Sequence, residues 1–178
     1  MHETGIFQQD IHAFFDFIQT IRYGYMDSHG VLHFIDDEDF EVRDYAFSGP
    51  EDVIRNRCGW CWDVANLIVH YCRYHKIQHK CLFLEYFSPV LHQTHTQVFL
   101  RHNGTWYAAP DNSSPDRFGD WGFDSDAECI HAFTAEFVRY LKHVLKENYD
   151  QRCLLCKEIH GDFPSGISDE EYLTMARS

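Results

Sequence analysis

The chain of 178 residues lacks any run of about eighteen consecutive apolar residues, so the sequence predicts no membrane-spanning helix. It holds only 5 prolines and 10 glycines, which excludes collagen-like and low-complexity classes. Basic residues are also scarce, with 15 Lys and Arg against 28 Asp and Glu and a net charge of -13. Such a surface repels phosphate backbones and anionic lipids, so neither a nucleic acid nor a membrane is expected as a partner.

The N-terminal stretch "MHETGIFQQD" lacks the basic segment and apolar run of a secretory signal, and the seven cysteines are an odd number. Together these features predict a cytoplasmic protein with free thiols. What the chain does have is 44% hydrophobic residues, 16% of the total being aromatic. That content suits one packed core at this length, so we expect a single domain over residues 1–178.

The N-terminal half is expected to be mainly helical. Apolar residues at helical spacing predict one amphipathic helix over 6–22, followed by an irregular, acidic connection. "SGPE" places Ser48 three residues before Glu51, which predicts a capping box and a short helix through about Asn56. An apolar stripe from Cys61 to Cys72 then predicts a helix that begins at or just before Cys61.

The C-terminal half is expected to supply strands and two more helices. Apolar runs predict strands over 80–87, 94–102 and 105–109, the last two joined by Asn103-Gly104 as a hairpin. Capping boxes at Ser125 and Ser168 predict a helix of about five turns and a short terminal helix. The predicted fold class is therefore α+β.

The segment "NRCGWCWDVAN" at 56–66 places Cys58 and Cys61 at the start of a helix, and three kinds of site contain such a pair. A thioredoxin-like redox pair follows a central strand, whereas "PEDVIRNR" precedes this one and is charged and helix-like. A zinc site would combine the pair with Cys153 and Cys156, but their separation far exceeds that of a compact zinc ribbon. These latter two cysteines are predicted to be free thiols near a helix end.

The third kind of site is a cysteine nucleophile, which requires a histidine base and a group that orients it. A two-residue turn at Asn103-Gly104 would pair His95 with Asn112, whereas a three-residue loop would pair it with Asp111. Directly opposed residues of a hairpin lie close enough to hydrogen-bond, so either register gives His95 a polar partner. His92 is a rival base, but it lies before the strand proper and has no acid in register.

These residues resemble the transglutaminase-like superfamily of papain-like cysteine enzymes, in particular its small bacterial members. The resemblance rests on "CGWCWDVA" around Cys61, "THTQVFL" with His95, and "GTWYAAPD" ending in Asp111, in that order along the chain. It implies a papain-like fold in which a nucleophile-bearing helix packs on an antiparallel sheet. The stretch that carries it runs over roughly residues 7–115.

The resemblance also implies roles for the three residues. Cys61 attacks an acyl or amide carbonyl, His95 carries the proton and Asp111 orients His95, with no metal and no cofactor. The expected activity is thioester-mediated acyl transfer, by default the hydrolysis of a peptide, isopeptide or side-chain amide in a peptide or protein substrate. The backbone N–H of Cys61 is one expected oxyanion donor, and Asn56 and Trp60 are candidates for the second.

Two alternatives remain open at this point. One is a binding module that keeps the fold without turnover. The other is a zinc or redox protein that uses the Cys-x2-Cys pairs and histidines such as His75, His79 and His102.

Overall fold

A computed structural model of the chain describes residues 3–42, 44–112, 122–146 and 148–178. Residues 113–115, which end the stretch that carries the family resemblance, lie outside the described residues. The helices are α1 (Glu3–Phe7), α2 (Ile11–Ile18), α3 (Pro50–Asn56), α4 (Cys61–Tyr74), α5 (Asp126–His143) and α6 (Asp169–Arg177). The strands are β1 (Arg22–Met26), β2 (Leu32–Phe34), β3 (Cys58–Gly59), β4 (His79–Phe87), β5 (His92–His102), β6 (Thr105–Ala108) and β7 (Leu154–Ile159).

The main sheet has the order β6-β5-β4-β7, and every neighbouring pair in it is antiparallel. A smaller sheet has the order β2-β1-β3, in which β1 and β2 are antiparallel and β1 and β3 parallel. The described residues therefore form an α+β structure, as predicted. Among the described helices, none combines the length and the apolar composition needed to cross a bilayer.

Helices cover the main sheet on both faces. Cys81, Phe83 and Val98 belong to a core shared with α2, α4 and α6. Leu82 and Phe99 belong to a second core that includes the apolar residues of α5. Because both faces are covered, β4 is almost continuously apolar instead of alternating, which is why "KCLFLEYF" could be identified as a strand by its length.

The N-terminal region differs from its prediction in two ways. The helix expected over 6–22 is two helices, because the Asp10 side chain accepts the backbone N–H of Ala13 at 2.9 Å and starts α2 anew. The segment expected to be an irregular connection contains the β1–β2 hairpin. Gly24 permits this pairing, since a Cβ there would lie 2.1 Å from the carbonyl oxygen of His33.

Two local predictions near cysteines are also wrong. Ser48 does not cap α3: Gly49 occupies the cap position and Pro50 begins the helix. Cys153 and Cys156 do not lie near the end of α5, which is His143: Cys153 is the last residue of a short 3₁₀ helix and Cys156 lies within β7. Ser125 and Ser168 do cap their helices, accepting the N–H groups of Glu128 and Glu171. The full capping box forms at Ser168, whose N–H donates to the Glu171 carboxylate in return.

Candidate active site

The site begins at the N-terminus of α4, where Cys61 is the first helical residue, as predicted. Its cap comes from Asp63, whose two carboxylate oxygens accept the backbone N–H groups of Trp60 and Ser48, each at 2.8 Å. Gly59 packs directly on this carboxylate, since a Cβ there would lie 3.0 Å from the Cβ of Asp63. Burial raises the pKa of Asp63 to about 7, although the two N–H donors oppose that shift.

Cys61 occupies the first position of α4. As the first residue of the helix, Cys61 has a backbone N–H with no acceptor one turn earlier. The positive end of the helix dipole lies at the same point and favours negative charge. The Cys61 residue is only 7% exposed, so its thiol lies within the molecule and not on an open surface.

The β5–β6 hairpin has the two-residue turn, with Asn103 and Gly104 at φ of 49° and 88°. Its pairs run from His102 and Thr105 to Phe99 and Ala108, so this register, continued, would pair His95 with Asn112. The side chain that reaches His95 is nevertheless that of Asp111, whose Oδ2 lies 3.2 Å from His95 Nε2.

The reason is that the β5–β6 ladder ends at Ala108, and the chain then leaves the strand. The backbone N–H of Ala109 still donates to the carbonyl of Val98 at 2.8 Å, and the side-chain amide of Gln97 donates to the carbonyl of Ala109 at 2.7 Å. Pro110 has no N–H with which to continue the ladder. The backbone register, continued beyond Ala108, therefore predicts Asn112 as the partner of His95, which is wrong. Because the chain leaves the strand after Ala108, the side chain of Asp111 contacts His95 instead.

Asn112, the other candidate for orienting His95, has a different set of contacts. Its side-chain amide donates to the carbonyl of Gly59 at 2.7 Å and to that of Arg22 at 3.2 Å. These bonds tie the segment after β6 to both strands of the parallel β1–β3 pair. Asn112 thus holds the Asp111 segment against the turn that precedes Cys61.

His95 lies between the thiol and the carboxylate. Its side chain is 17% exposed, and its ring lies 5.5 Å from that of Phe133 on α5. Burial alone would lower the pKa of His95, but hydrogen bonds to Asp111 and Cys61, together with their charges, outweigh it and raise that pKa to about 10. The fold therefore brings the three predicted residues together, with an imidazole that favours its protonated, positive form.

The rival base, His92, belongs to another cluster. Its Nε2 lies 2.7 Å from Oε1 of Glu85, and the Nε of Arg177 donates to Oε2 of the same carboxylate at 2.8 Å. The Glu85 carboxylate is buried while the side chains of Arg177 and His92 are partly exposed, and the ion pair with Arg177 fastens the end of α6 to β4. His92 therefore contributes to anchoring the C-terminal helix.

Two tyrosines near Cys61 were not found by sequence reasoning. The ring of Tyr23 on β1 packs on that of Trp60 at a centroid distance of 4.8 Å, and burial, the charge of Cys61 and a hydrogen bond with Cys61 raise the pKa of Tyr23. Tyr172 on α6 is buried, with its hydroxyl 3.0 Å from that of Thr96 and its ring 4.7 Å from that of Trp62. Both come from segments distant in sequence, and the β1 segment was expected to be irregular, so no local pattern marked either residue.

The two residues proposed as second oxyanion donors have other surroundings. The side-chain amide of Asn56 donates to the sulfur of Met26 at 3.6 Å. The indole N–H of Trp60 is buried and has no hydrogen-bond partner among the described residues. Its ring packs against those of Tyr23 and Tyr25, at centroid distances of 4.8 and 5.6 Å.

All seven cysteines are free thiols. Within the described ranges, no three His, Cys, Asp or Glu side chains gather as a group that would hold a metal ion. The histidines considered as ligands are dispersed: the ring of His75 contacts the carbonyl of Phe7, that of His79 the carbonyl of Ile77, and that of His102 the amide of Asn103.

No protein-family model matches the chain, and a search of the curated proteins likewise finds no match. Function therefore has to be inferred from the geometry of Cys61, His95 and Asp111.

Proposed function

We propose that the protein is a cysteine-dependent acyl-transfer enzyme of the transglutaminase-like, papain-like kind, and that it hydrolyses an amide of a peptide or protein. The observation that carries this proposal is the imidazole of His95, which lies 3.2 Å from the buried carboxylate of Asp111 and has its pKa raised by hydrogen bonds to both Asp111 and Cys61, a buried thiol at a helix N-terminus. Such a series of thiol, imidazole and carboxylate is the arrangement that activates a cysteine nucleophile.

In the first half of the reaction the Cys61 sulfur attacks the amide carbonyl carbon. The C–S bond forms and the carbonyl oxygen takes the negative charge, toward which the backbone N–H of Cys61 donates. The protonated His95 gives its proton to the amide nitrogen, the C–N bond breaks and an amine leaves. Because Nε2 of His95 faces Asp111, Nδ1 is the nitrogen left to serve the reaction.

In the second half His95, now neutral, takes a proton from water, and the resulting hydroxide attacks the thioester. The C–S bond breaks, a carboxylic acid leaves and the thiolate–imidazolium pair is restored. Transfer to an amine in place of water would follow the same steps, and which occurs depends on the exclusion of water from the thioester. The free state of all seven cysteines supports a reducing compartment such as the cytoplasm.

Competitive alkylation tests this proposal without a known substrate. The wild-type protein is treated at pH 7 with limiting iodoacetamide, and mass spectrometry measures the rate at each of the seven cysteines. We expect Cys61 to react about tenfold or more faster than the exposed Cys156, because a thiolate paired with an imidazolium reacts faster than a thiol.

The matched control is His95→Ala, which keeps the cysteines and removes the imidazole. In that variant the rate at Cys61 is expected to fall below that at Cys156. Equal rates in the two proteins, with Cys156 the faster residue in both, would favour a binding module that keeps the fold without an activated nucleophile. Stoichiometric zinc in elemental analysis of the purified protein would favour the metal alternative instead.

A further inference from the structure

The hydroxyl group of Tyr23 is placed beside Cys61 by two backbone connections. β1 pairs in parallel with β3, which sets Tyr23 opposite Gly59, two residues before Cys61. Asn112 then spans the pair by donating to the carbonyls of Gly59 and Arg22. The position of Tyr23 is therefore fixed relative to the nucleophile and also to the segment that carries Asp111.

The side chain of Tyr23 reaches the reacting atom. The edge of its ring packs on Trp60, the residue before Cys61, with ring centroids 4.8 Å apart and an interplanar angle of 74°. A hydrogen bond with Cys61 is one of the causes that raise the pKa of Tyr23. Burial first, and then the charges of Cys61 and Asp111, hold the pKa of Tyr23 well above its ordinary value. The phenol therefore stays protonated through the neutral range and keeps a hydrogen to donate.

We propose that Tyr23 is a catalytic residue that supplies the second hydrogen bond to the oxyanion, beside the backbone N–H of Cys61. This inference rests on the proposed function. In the resting site the hydroxyl donates to the Cys61 sulfur. Once the sulfur has bonded to the carbonyl carbon of the substrate, it no longer carries the negative charge. That charge moves to the carbonyl oxygen, which is bonded to the same carbon. A donor already directed at the sulfur is within reach of that oxygen.

The competing donors differ in what they already contact. Tyr172 also lies near Cys61, but its hydroxyl is engaged with Thr96 at 3.0 Å. The side-chain amide of Asn56 is engaged with Met26. The indole N–H of Trp60 has no partner among the described residues, which makes Trp60 the rival to be tested.

Two probes separate oxyanion donation from a simple effect on the thiol. p-Nitrophenyl acetate acylates the Cys61 sulfur through a tetrahedral oxyanion: a C–S bond forms, the ester C–O bond breaks and p-nitrophenolate leaves. Iodoacetamide alkylates the same sulfur by displacing iodide, with no oxyanion. Both rates are measured at Cys61 by mass spectrometry in the full chain.

Tyr23→Phe removes only the hydroxyl. We expect the rate of acylation to fall by about 10- to 100-fold, in the range seen when an oxyanion donor is removed. We expect the rate of alkylation to change by less than about threefold, which is under 1 kcal/mol. A retained alkylation rate also shows that the variant has kept the folded site.

Tyr25→Phe is the matched control. It removes a hydroxyl two residues away on the same strand, where the group donates to the carbonyl of Glu41 at 2.5 Å and not to Cys61. It also preserves ring packing on Trp60. We expect both rates at Cys61 to stay within about threefold of wild type.

Three results would overturn the assignment of Tyr23 and leave the proposed function standing. In the first, Tyr23→Phe acylates as fast as Tyr25→Phe. In the second, both probes slow equally, so that the hydroxyl acts on the thiol alone. In the third, Trp60→Phe slows acylation selectively and Tyr23→Phe does not. Failure of the wild-type protein to form any acyl group at Cys61 would instead contradict the proposed function, and with it the role of Tyr23.

Discussion

Cys58 and Cys61 have the same spacing as Cys153 and Cys156, yet the two pairs lie in very different surroundings. Cys61 begins a buried helix and contacts His95 and Tyr23. Cys156 is exposed on the edge strand β7, paired in the ladder with Leu84. What differs is therefore the set of neighbours from distant parts of the chain, and those neighbours determine the chemistry of a thiol.

The comparison also holds within the first pair. Burial, followed by the charge of Asp63, raises the pKa of Cys58 to about 12, with Arg22 opposing the shift. Such a thiol stays protonated and unreactive at neutral pH. Cys58 is three residues from Cys61 but faces no imidazole in the described structure, which is why we assign the nucleophile to Cys61 alone.

The largest expected effect distinguishes the two cysteines of the first pair. Cys61→Ala should abolish acylation by p-nitrophenyl acetate, because it removes the sulfur that forms the thioester. Cys58→Ala should retain most of it, and Cys156→Ala serves as a control from the second pair. The measurement is the burst of p-nitrophenolate together with the mass of the acylated protein. The reverse ranking of Cys58 and Cys61 would overturn our assignment of the two thiols.

The next effect concerns the imidazole of His95 beside Cys61. Asp111→Ala removes the largest of the interactions that raise the His95 pKa to about 10, so this pKa should fall, because burial then opposes only the interactions with Cys61. We expect acylation at Cys61 to slow by about 10²- to 10³-fold near neutral pH, within the effect of general acid–base catalysis. Its decline at alkaline pH should begin well below pH 10.

Asp111→Ala should also change how the free energy of unfolding depends on pH. The folded state holds the proton of His95 more tightly than the unfolded state does. Its stabilisation is therefore complete below pH 6.5 and is lost as pH rises through about 10. Urea unfolding across this range should show a larger loss in the wild type than in Asp111→Ala. An alkaline decline of acylation that is identical in the two proteins would contradict the role of Asp111.

The smallest expected effect is on stability, and it compares the replacement of an aspartate beside each pair of cysteines. Asp63→Ala leaves the N–H groups of Trp60 and Ser48 without their acceptor, and we expect it to lower the free energy of unfolding by about 2 kcal/mol. Asp150→Ala, beside the second pair, removes the exposed cap of a 3₁₀ turn and should cost less. Urea denaturation measures both changes. Equal decreases in the free energy of unfolding would show that the Asp63 cap stabilises the fold no more than the Asp150 cap does.

The pH dependence of that difference has the same sign as the one at His95 but lies in a lower pH window. Because burial raises the pKa of Asp63 from 3.8 to about 7, its contribution to the free energy of unfolding falls as pH rises through this window. The deficit of Asp63→Ala should therefore shrink between pH 4 and pH 7. A deficit that grows over the same window would contradict the raised pKa of Asp63.

Local patterns in the sequence predicted several elements well. The stripe from Cys61 to Cys72 located α4, and Asn103-Gly104 located the hairpin turn with its two-residue geometry. Both depend on interactions between residues close in sequence, which composition and spacing express directly. The β1–β2 hairpin was missed because its pairing depends on the close approach of the β2 backbone to Gly24. The spacing of apolar residues in the sequence does not indicate such an approach.

By itself, then, the sequence determined the α+β composition, the start of α4 at Cys61 and the hairpin that carries His95. The tertiary structure alone decided between Asp111 and Asn112 as the partner of His95. It also decided that Asn112 ties β1 to β3 and that Tyr23 lies beside the start of α4. The physical reason is the separation along the chain of the residues that interact. Helix periodicity and turn conformation depend on residues only a few positions apart. Side-chain contacts across the site depend on where a strand ends and on which segments pack beside it.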